Sequence, residues 1–267
     1  MVSVLVPCYN GAEYLYDCLV GINSQTYQNF EVIFINDGST DDSLNIFQNF
    51  TWRSDIGTTI IDQENKGFLE SLLGGMKRCN GDVVARCDAD DVWHDFHLQR
   101  GVNALKEDEN LVLVGSRARL IDNESKVTGI STLVLSSKRY LLRDNPFIHS
   151  SVLFKRNAYD NTLHGYNNDL LLKEHFADYI LFVRLSALGD IYIYQTPSLD
   201  YRILGDSMSR RFDNLEILKS RLMCIRLAVA TSSFSDRLYG YIWIVTINLR
   251  IYVKSIISIW RKYWWNS

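Results

Sequence analysis

The chain has little proline, three residues in 267, and no low-complexity run or internal repeat, so nothing in it reads as a linker between independent domains. It has five cysteines, Cys8, Cys18, Cys79, Cys87 and Cys224, but no C-x-x-C pair. Scattered cysteines in odd number speak against a disulfide framework and a structural zinc site, and read as the reduced, buried thiols of a cytosolic protein. Basic charge is not in excess either: the net charge of −3 argues against bulk binding of nucleic-acid phosphates. No apolar run reaches the ~20 residues of a membrane span. The N-terminus opens on the β-branched run Val2–Val6 and not on the basic and apolar regions of a signal peptide. What is present is an ordinary globular composition, 47% hydrophobic and 22% charged, at a length that fits one large α/β domain with or without a helical tail.

Strand and helix signals alternate in the first third of the chain. Val2–Val6 is a strand turned by Asn10-Gly11, followed by an amphipathic stretch with Tyr14, Cys18 and Ile22 on one face. Phe30–Ile35 is a second strand, turned by Asp37-Gly38, after which Ser39 or Thr40 is expected to cap a helix carrying Leu44 and Phe47. Thr58–Ile61 is a third, followed by a helix with Leu69, Leu72, Leu73 and Met76, and Asp82–Cys87 is a fourth. Continuous apolar strands separated by helices predict a parallel sheet covered on both faces, with ligands at the carboxyl ends of its strands. Farther on, Leu111–Gly115, Val152–Phe154, Ile191–Tyr194 and Leu199–Ile203 read as strands and Asp178–Leu188 as a helix. From Leu215 the pattern is helical to the end, with a break around Ser232–Ser235.

Polar residues gather where the strands end. The first strand runs into Pro7-Cys8-Tyr9-Asn10, the second into Asn36-Asp37-Gly38-Ser39 and the fourth into Asp88-Ala89-Asp90-Asp91, all on one edge of the expected sheet. A lone D-x-D more often decorates a turn. At a strand end beside two other polar strand ends, one carboxylate can hold a ribose hydroxyl while another takes a hard divalent cation through oxygen. Such a cation bridges two phosphates and stabilises the charge of a departing diphosphate.

Together these segments resemble glycosyltransferase family 2, inverting nucleotide-sugar transferases of the GT-A fold and of the bacterial surface-polysaccharide type. The stretches that carry the resemblance are Val2–Asn10, Asn36–Asp42, Asn65–Gly67, Cys87–Asp91, His149–Ser151, Ala177–Tyr179 with Arg184, and Tyr201-Arg202 followed by Gly205–Ser207. They lie in the family's order over roughly the first 210 residues.

The resemblance implies a Rossmann-like sheet flanked by helices. A catalytic domain would span residues 1–212, binding the nucleotide through residues 1–91 and the acceptor through residues 92–212, with a helical tail over 213–267. It implies that Pro7, Tyr9, Asp37 and Glu13 hold base and ribose, within a nucleotide-sugar surface that also takes in Asn10, Gly38, Ser39, Asn65, Lys66, Gly67, Asp88 and Ala89. Asp90 would take Mn(II) or Mg(II), and Asp178 would be the general base toward the acceptor hydroxyl. A helix N-cap is the structural alternative for Asp178. Asp91, His149, Ser150, Arg202, Ser207 and Arg210 are candidates for the acceptor side or for a loop over the diphosphate. Two positions depart from the family: Ala177 stands where many relatives have Glu, and Leu204 where they commonly have His.

The end of the chain has another character. After Glu216 there are eight basic residues (Lys219, Arg221, Arg226, Arg237, Arg250, Lys254, Arg261 and Lys262) against one acid, Asp236, a balance of +7 that leaves −10 for the rest. Arg250, Lys254, Ser258 and Arg261 share one helical face, with Leu249, Val253, Ile256, Ile257 and Trp260 on the other, the pattern of an interfacial helix on an anionic membrane. The resemblance implies transfer of a hexose or N-acetylhexosamine from a UDP-sugar to a glycan or lipid-linked acceptor, and the tail adds the expectation of a peripheral protein on the inner face of the membrane. Rival readings are a nucleotidyltransferase, which would need a basic, glycine-rich loop after the first strand, and an inactive sugar-nucleotide-binding scaffold. For the tail, the rival is packing on the body or in a homo-oligomer.

Overall fold

In a computed structural model of the chain, residues 1–132, 138–162, 176–204, 214–230 and 234–264 are described. The elements in order are β1 (Val2–Cys8), α1 (Ala12–Asn23), β2 (Phe30–Asp37), α2 (Ser43–Asn49), β3 (Gly57–Gln63), α3 (Phe68–Met76), β4 (Val83–Arg86), β5 (Val92–Trp93), α4 (His97–Glu107), β6 (Leu111–Ser116), β7 (Arg119–Ile121) and β8 (Val127–Ile130). Then come α5 (Lys138–Leu141), β9 (Leu153–Lys155), α6 (Arg156–Asn161), α7 (Ala177–Leu188), β10 (Asp190–Tyr194), β11 (Leu199–Arg202), α8 (Asn214–Ala230) and α9 (Phe234–Trp264).

A seven-stranded sheet runs in the order β10-β6-β9-β4-β1-β2-β3. β1 pairs in parallel with both β2 and β4, so the chain winds one way from β1 and then crosses back, leaving a switch point at β1. β9 runs antiparallel between β4 and β6, which makes the sheet mixed. Alternation along β1 feeds two cores: Val2, Val4 and Val6 pack with Leu15, Leu19 and Phe34 under α1, whereas Leu5 joins Ile33, Ile35 and Leu72 on the α3 and α7 side. Burial on both faces is why these strands read as largely apolar runs.

The structure corrects three local expectations. Thr40 is not a cap, nor is Ser39: α2 begins at Ser43, and both residues instead tie the β2–α2 loop to the β1–α1 turn. On α1 the buried stripe is Leu15, Cys18, Leu19 and Ile22, while Tyr14 is half-buried beneath Arg202. β11 leaves the main sheet and joins a second, four-stranded one in the order β5-β11-β7-β8, whose β5 brings the acidic turn against it. α8 packs on α7, and its Leu222, Ile225 and Val229 belong to the same core as Leu181 and Phe182. The expected break at 232–235 falls partly outside the described residues, and Ser207 and Arg210 lie outside them altogether.

Candidate active site

The carboxyl ends of β1, β2 and β4 lie side by side, with Cys8 opposite Asn36 and Leu5 opposite Arg86. Tyr9 and Asn10 stand exposed beyond β1 and Glu13 is exposed on α1, whereas Pro7 is buried in the strand. Asn10 adopts a left-handed φ of 52° that Asn tolerates better than most residues. The N–H groups leading into α1 are already used: Asn10 N donates to Ser39 Oγ (3.0 Å), Gly11 N to Ser43 Oγ (3.0 Å) and Ala12 N, the first of the helix, to Asp41 Oδ2 (2.9 Å). A free helix N-terminus is a ready anion site. Here the chain's own Asp41 carboxylate occupies it.

Asp37 is buried at the end of β2. Its Oδ1 accepts from Gln63 Nε2 (2.8 Å) and Lys66 N (2.9 Å), and its Oδ2 from Gly67 N (2.9 Å). The carboxylate thereby fixes the Asn65–Gly67 loop against the strand end. Gly38, at φ 72°, lets that loop come close, since a Cβ there would meet Asn65 N at 2.6 Å. Asn65 and Lys66 remain exposed on its rim.

The acidic turn after β4 is the most strongly charged feature. Oxygens of Asp88, Asp90 and Asp91 lie within 4.8 Å of one another. Burial, and then the charge of Asp88, push the Asp90 carboxyl up to about 6. Burial and both neighbouring carboxylates push Asp91 well above its usual range. Asp91 Oδ1 accepts from Arg202 N (2.8 Å), while its Oδ2 has no hydrogen-bond partner among the described residues. Asp91 is fully buried, so the structure makes it a floor of the turn and not a group facing an acceptor.

Two other expectations change in the same way. Ser150 is fully buried: its Oγ accepts from Asp88 N (2.9 Å) and its carbonyl from Trp93 Nε1 (2.8 Å), so it braces the turn. Arg202 is buried with its guanidinium 4.2 Å from the Tyr14 ring centre. Its Nε donates to the Asp90 carbonyl (3.0 Å) and its Nη1 to the Asp122 carbonyl (2.8 Å). It clamps the acidic turn to the β7–β8 turn instead of reaching into a loop.

Asp178 lies in the first turn of α7, part-buried, and is not the N-cap, which is Phe176. Its Oδ1 accepts from Tyr179 N (2.7 Å) and its Oδ2 from Asn145 Nδ2 (2.8 Å). Burial pushes its carboxyl up to about 6, against the pull of the Tyr179 N–H, the Arg86 charge and the Asn145 amide. Ala177 beside it is packed into the core, so the missing second acid leaves no gap. His149 presents its ring edge-on to Phe68 (5.9 Å) and Phe182 (5.9 Å). Burial and then Arg86 hold its pKa well below the usual value, so the imidazole is neutral at physiological pH.

Arg86 is the residue that sequence reasoning passed over. It is 1% exposed at the end of β4, ion-paired to Asp88, with its guanidinium 5.1 Å from the Phe68 ring centre. Its charge also acts on Asp90, Asp178 and His149. The available signal was an arginine inside an otherwise apolar strand, which is rarely buried without a partner. Arg86→Met is expected to raise the pKa of Asp178 further, because that carboxyl loses a nearby cation, as an NMR titration of the folded variant would show. Arg86→Lys should recover most of the shift. An unmoved Asp178 titration in a folded Arg86→Met protein would confine Arg86 to packing.

The donor set of the acidic turn is all oxygen, which suits a hard divalent cation. The crowded carboxylates and the unsatisfied Asp91 Oδ2 are the features such a cation relieves, so the residues fit Mg(II) or Mn(II). Asp90, with Asp88 beside it, would hold it, and it would supply positive charge against a diphosphate leaving group.

The comparisons with known proteins agree with this geometry. The model of Glycosyl transferase family 2 matches residues 3–161. An uncharacterized glycosyltransferase of Haemophilus influenzae is 28% identical over 225 residues, 80% of this chain and 69% of that one. The amylovoran biosynthesis glycosyltransferase AmsE of Erwinia amylovora is 27% identical over 237 residues, 86% of each chain. Among solved structures, S. aureus TarS 1–349 in complex with UDP-GlcNAc superposes with a TM-score of 0.71 at 16% identity, covering 93% of this chain and 72% of that 1–349 chain. The mannosyltransferase PcManGT of Pyrobaculum calidifontis, in complex with GDP-Man and Mn2+, gives 0.61 at 17% identity, covering 98% and 87%. The mixed sheet with its acidic turn is thus a GT-A fold. The chain belongs to glycosyltransferase family 2 and is a glycosyltransferase.

Proposed function

We propose that this protein transfers a hexose or N-acetylhexosamine, with inversion, from a UDP-sugar to a hydroxyl of a glycan or lipid-linked acceptor in surface polysaccharide assembly. The observation that carries this reading is the placement of one acidic turn, Asp88–Asp91, at the switch point beside Tyr9 and Asp37, with Asp178 part-buried and coupled to it through Arg86. The base and ribose would rest on Tyr9, Glu13 and the loop that Asp37 fixes. The diphosphate would lie at Asp88 and Asp90, since Asp41 fills the N-terminus of α1. Asp178 would take the proton of the acceptor hydroxyl as it attacks the anomeric carbon from the face opposite the leaving group, which gives inversion.

The names of relatives support the class of substrate: AmsE for polysaccharide, the UDP-GlcNAc complex of TarS for a UDP-sugar, and the Mn2+ in PcManGT for the cation. The charge asymmetry of the tail supports a peripheral place on the inner face of the cell membrane. No described helix is long and apolar enough to cross a membrane. The test is a panel of nucleotide sugars offered to the purified protein with a lipid extract, read by mass spectrometry of the lipid. One hexose or N-acetylhexosamine added from one donor is the expected result. If no donor adds mass to any acceptor, the transfer reading fails, and the inactive binding protein takes its place.

A further inference from the structure

α9 is 31 residues long, about 46 Å at the usual rise. Its inner face is accounted for. Gly240 lies against α8, where a Cβ would meet Val229 Cγ2 at 2.2 Å, and Tyr239, Trp243, Ile244, Ile247 and Ile251 pack on the core shared with α7. Its outer face is not. Leu238 (67% exposed), Ile242 (60%), Val245 (67%), Leu249 (62%) and Tyr252 (65%) stand open, at successive steps of four, three, four and three residues. That spacing makes one straight stripe, and Ile256 and Ile259 continue it in the sequence. A contiguous apolar stripe of this kind marks a partner and not a solvated face.

Charge selects between the two partners such a stripe accepts, a lipid surface or a second copy of the same helix. From Arg237 to the end the chain carries Arg237, Arg250, Lys254, Arg261 and Lys262 and no acid at all. Arg250 and Lys254 are exposed, and the tail's Asp236 is already paired with Arg139. Two copies set stripe to stripe would bring two basic helix ends together, and the sequence of α9 from Arg237 onward offers no acid to offset them. An anionic bilayer supplies the opposite sign along the whole helix, while Tyr241 and Tyr252 are of the type that settles at its boundary.

We propose that the outer face of α9, the stripe Leu238, Ile242, Val245, Leu249 and Tyr252, docks on an anionic lipid surface and lies in its plane, while the exposed Arg250 and Lys254, set farther around the helix, reach the headgroups with their long side chains. The proposal rests on the reading of this protein as a peripheral membrane enzyme and names the surface responsible. It shares Leu249 with the expectation drawn from sequence, which set Leu249, Val253, Ile256, Ile257 and Trp260 on the lipid side, and extends the face toward the start of α9.

The test is co-sedimentation of the full chain with vesicles of phosphatidylcholine containing phosphatidylglycerol, against phosphatidylcholine alone. The parent is expected to bind the anionic vesicles, with affinity falling as salt rises. Replacing Ile242, Val245 and Leu249 by Ser, and separately Arg250, Lys254 and Arg261 by Gln, should each weaken binding by about 10²-fold. Donor hydrolysis in detergent should stay unchanged in both, since neither set touches the acidic turn or Asp178. Either variant binding as the parent does overturns the proposal. So does a parent that sediments as a dimer which the Ser variant dissociates while vesicle binding persists, because the stripe is then a seam between copies. Loss of donor hydrolysis in the parent itself would count against the enzymatic reading and leave the vesicle result standing.

Discussion

Asp178→Asn is expected to lower the rate of sugar transfer by about 10²-fold or more, the usual worth of a positioned general base, with donor affinity nearly unchanged. The substitution keeps the shape and the acceptor oxygen that Tyr179 N uses, so the start of α7 survives. It removes a carboxylate that burial has moved up to about 6, close enough to neutrality to accept a proton and still be ionised in the cell. In the parent the rate should therefore climb as pH rises through about 6 and then level off. Stability should move the opposite way. A carboxyl whose folded pKa of about 6 lies above its unfolded 3.8 binds more protons folded than unfolded, so it favours the fold at low pH and loses that contribution as pH rises through the same range. The Asn variant, which cannot ionise, should be at least as stable as the parent at neutral pH. Near-normal turnover in that variant would leave Asp178 as a residue that orders the first turn of α7, and the base would have to be sought elsewhere.

Asp90→Ala is expected to abolish the component of nucleoside diphosphate affinity that depends on a divalent cation, leaving only metal-independent contacts to base and ribose. Asp90 is the member of the acidic turn whose side chain has no structural bond to lose among the described residues, since its carbonyl, and not its carboxylate, holds Arg202. Removing it takes away a carboxyl that burial, and then the charge of Asp88, already disfavour as a charged group, so the variant should stay folded. Asp91→Ala makes the contrast: it strips the acceptor from Arg202 N in a fully buried site and should act first on stability, by about 1–3 kcal/mol for the unsatisfied donor. Calorimetry of UDP binding with and without Mn(II) separates the two. Unchanged metal-dependent affinity in Asp90→Ala would move the cation to other ligands.

Much of the nucleotide half was legible because its signals are local. Short β-branched, largely apolar runs such as Val2–Val6 and Phe30–Ile35, interrupted only by Ser3 and Glu31, read as strands buried on both faces, and parallel order then brings their polar ends to one edge. The second sheet was not legible. β5, β7 and β8 are too short for any periodicity; β5 and β7 are joined by β11, which crosses over to pair with both, and β8 pairs with β7 at the edge. The roles of Ser150, Asp91 and Arg202 escaped for a related reason. Sequence shows a polar residue beside the acidic turn, but whether it faces solvent or braces the turn from beneath depends on the contacts of Asp88 with Ser150 and of Asp91 with Arg202, partners that stand far apart in the chain. Arg86 was missed because its partner, Asp88, is two residues away, and the pair is easily read as ordinary surface charge until burial is known. In the tail, the basic stripe could be read from sequence, whereas the outer apolar stripe became visible only once the core had claimed Trp243, Ile244 and Ile247.

Turnover of a nucleotide sugar with a divalent cation held at Asp88–Asp91 is what all of these roles presuppose. It is measured most directly as release of nucleoside diphosphate from a panel of nucleotide sugars by the purified protein with Mn(II), after chelation with EDTA, and after Mn(II) is restored. The expected result is release from one donor that stops with EDTA, returns with Mn(II) or Mg(II), and is absent in Asp90→Ala. A protein that binds a donor tightly yet releases no diphosphate with any divalent cation, with acceptor lipids present, would be the opposite result and would remove the enzyme from this fold.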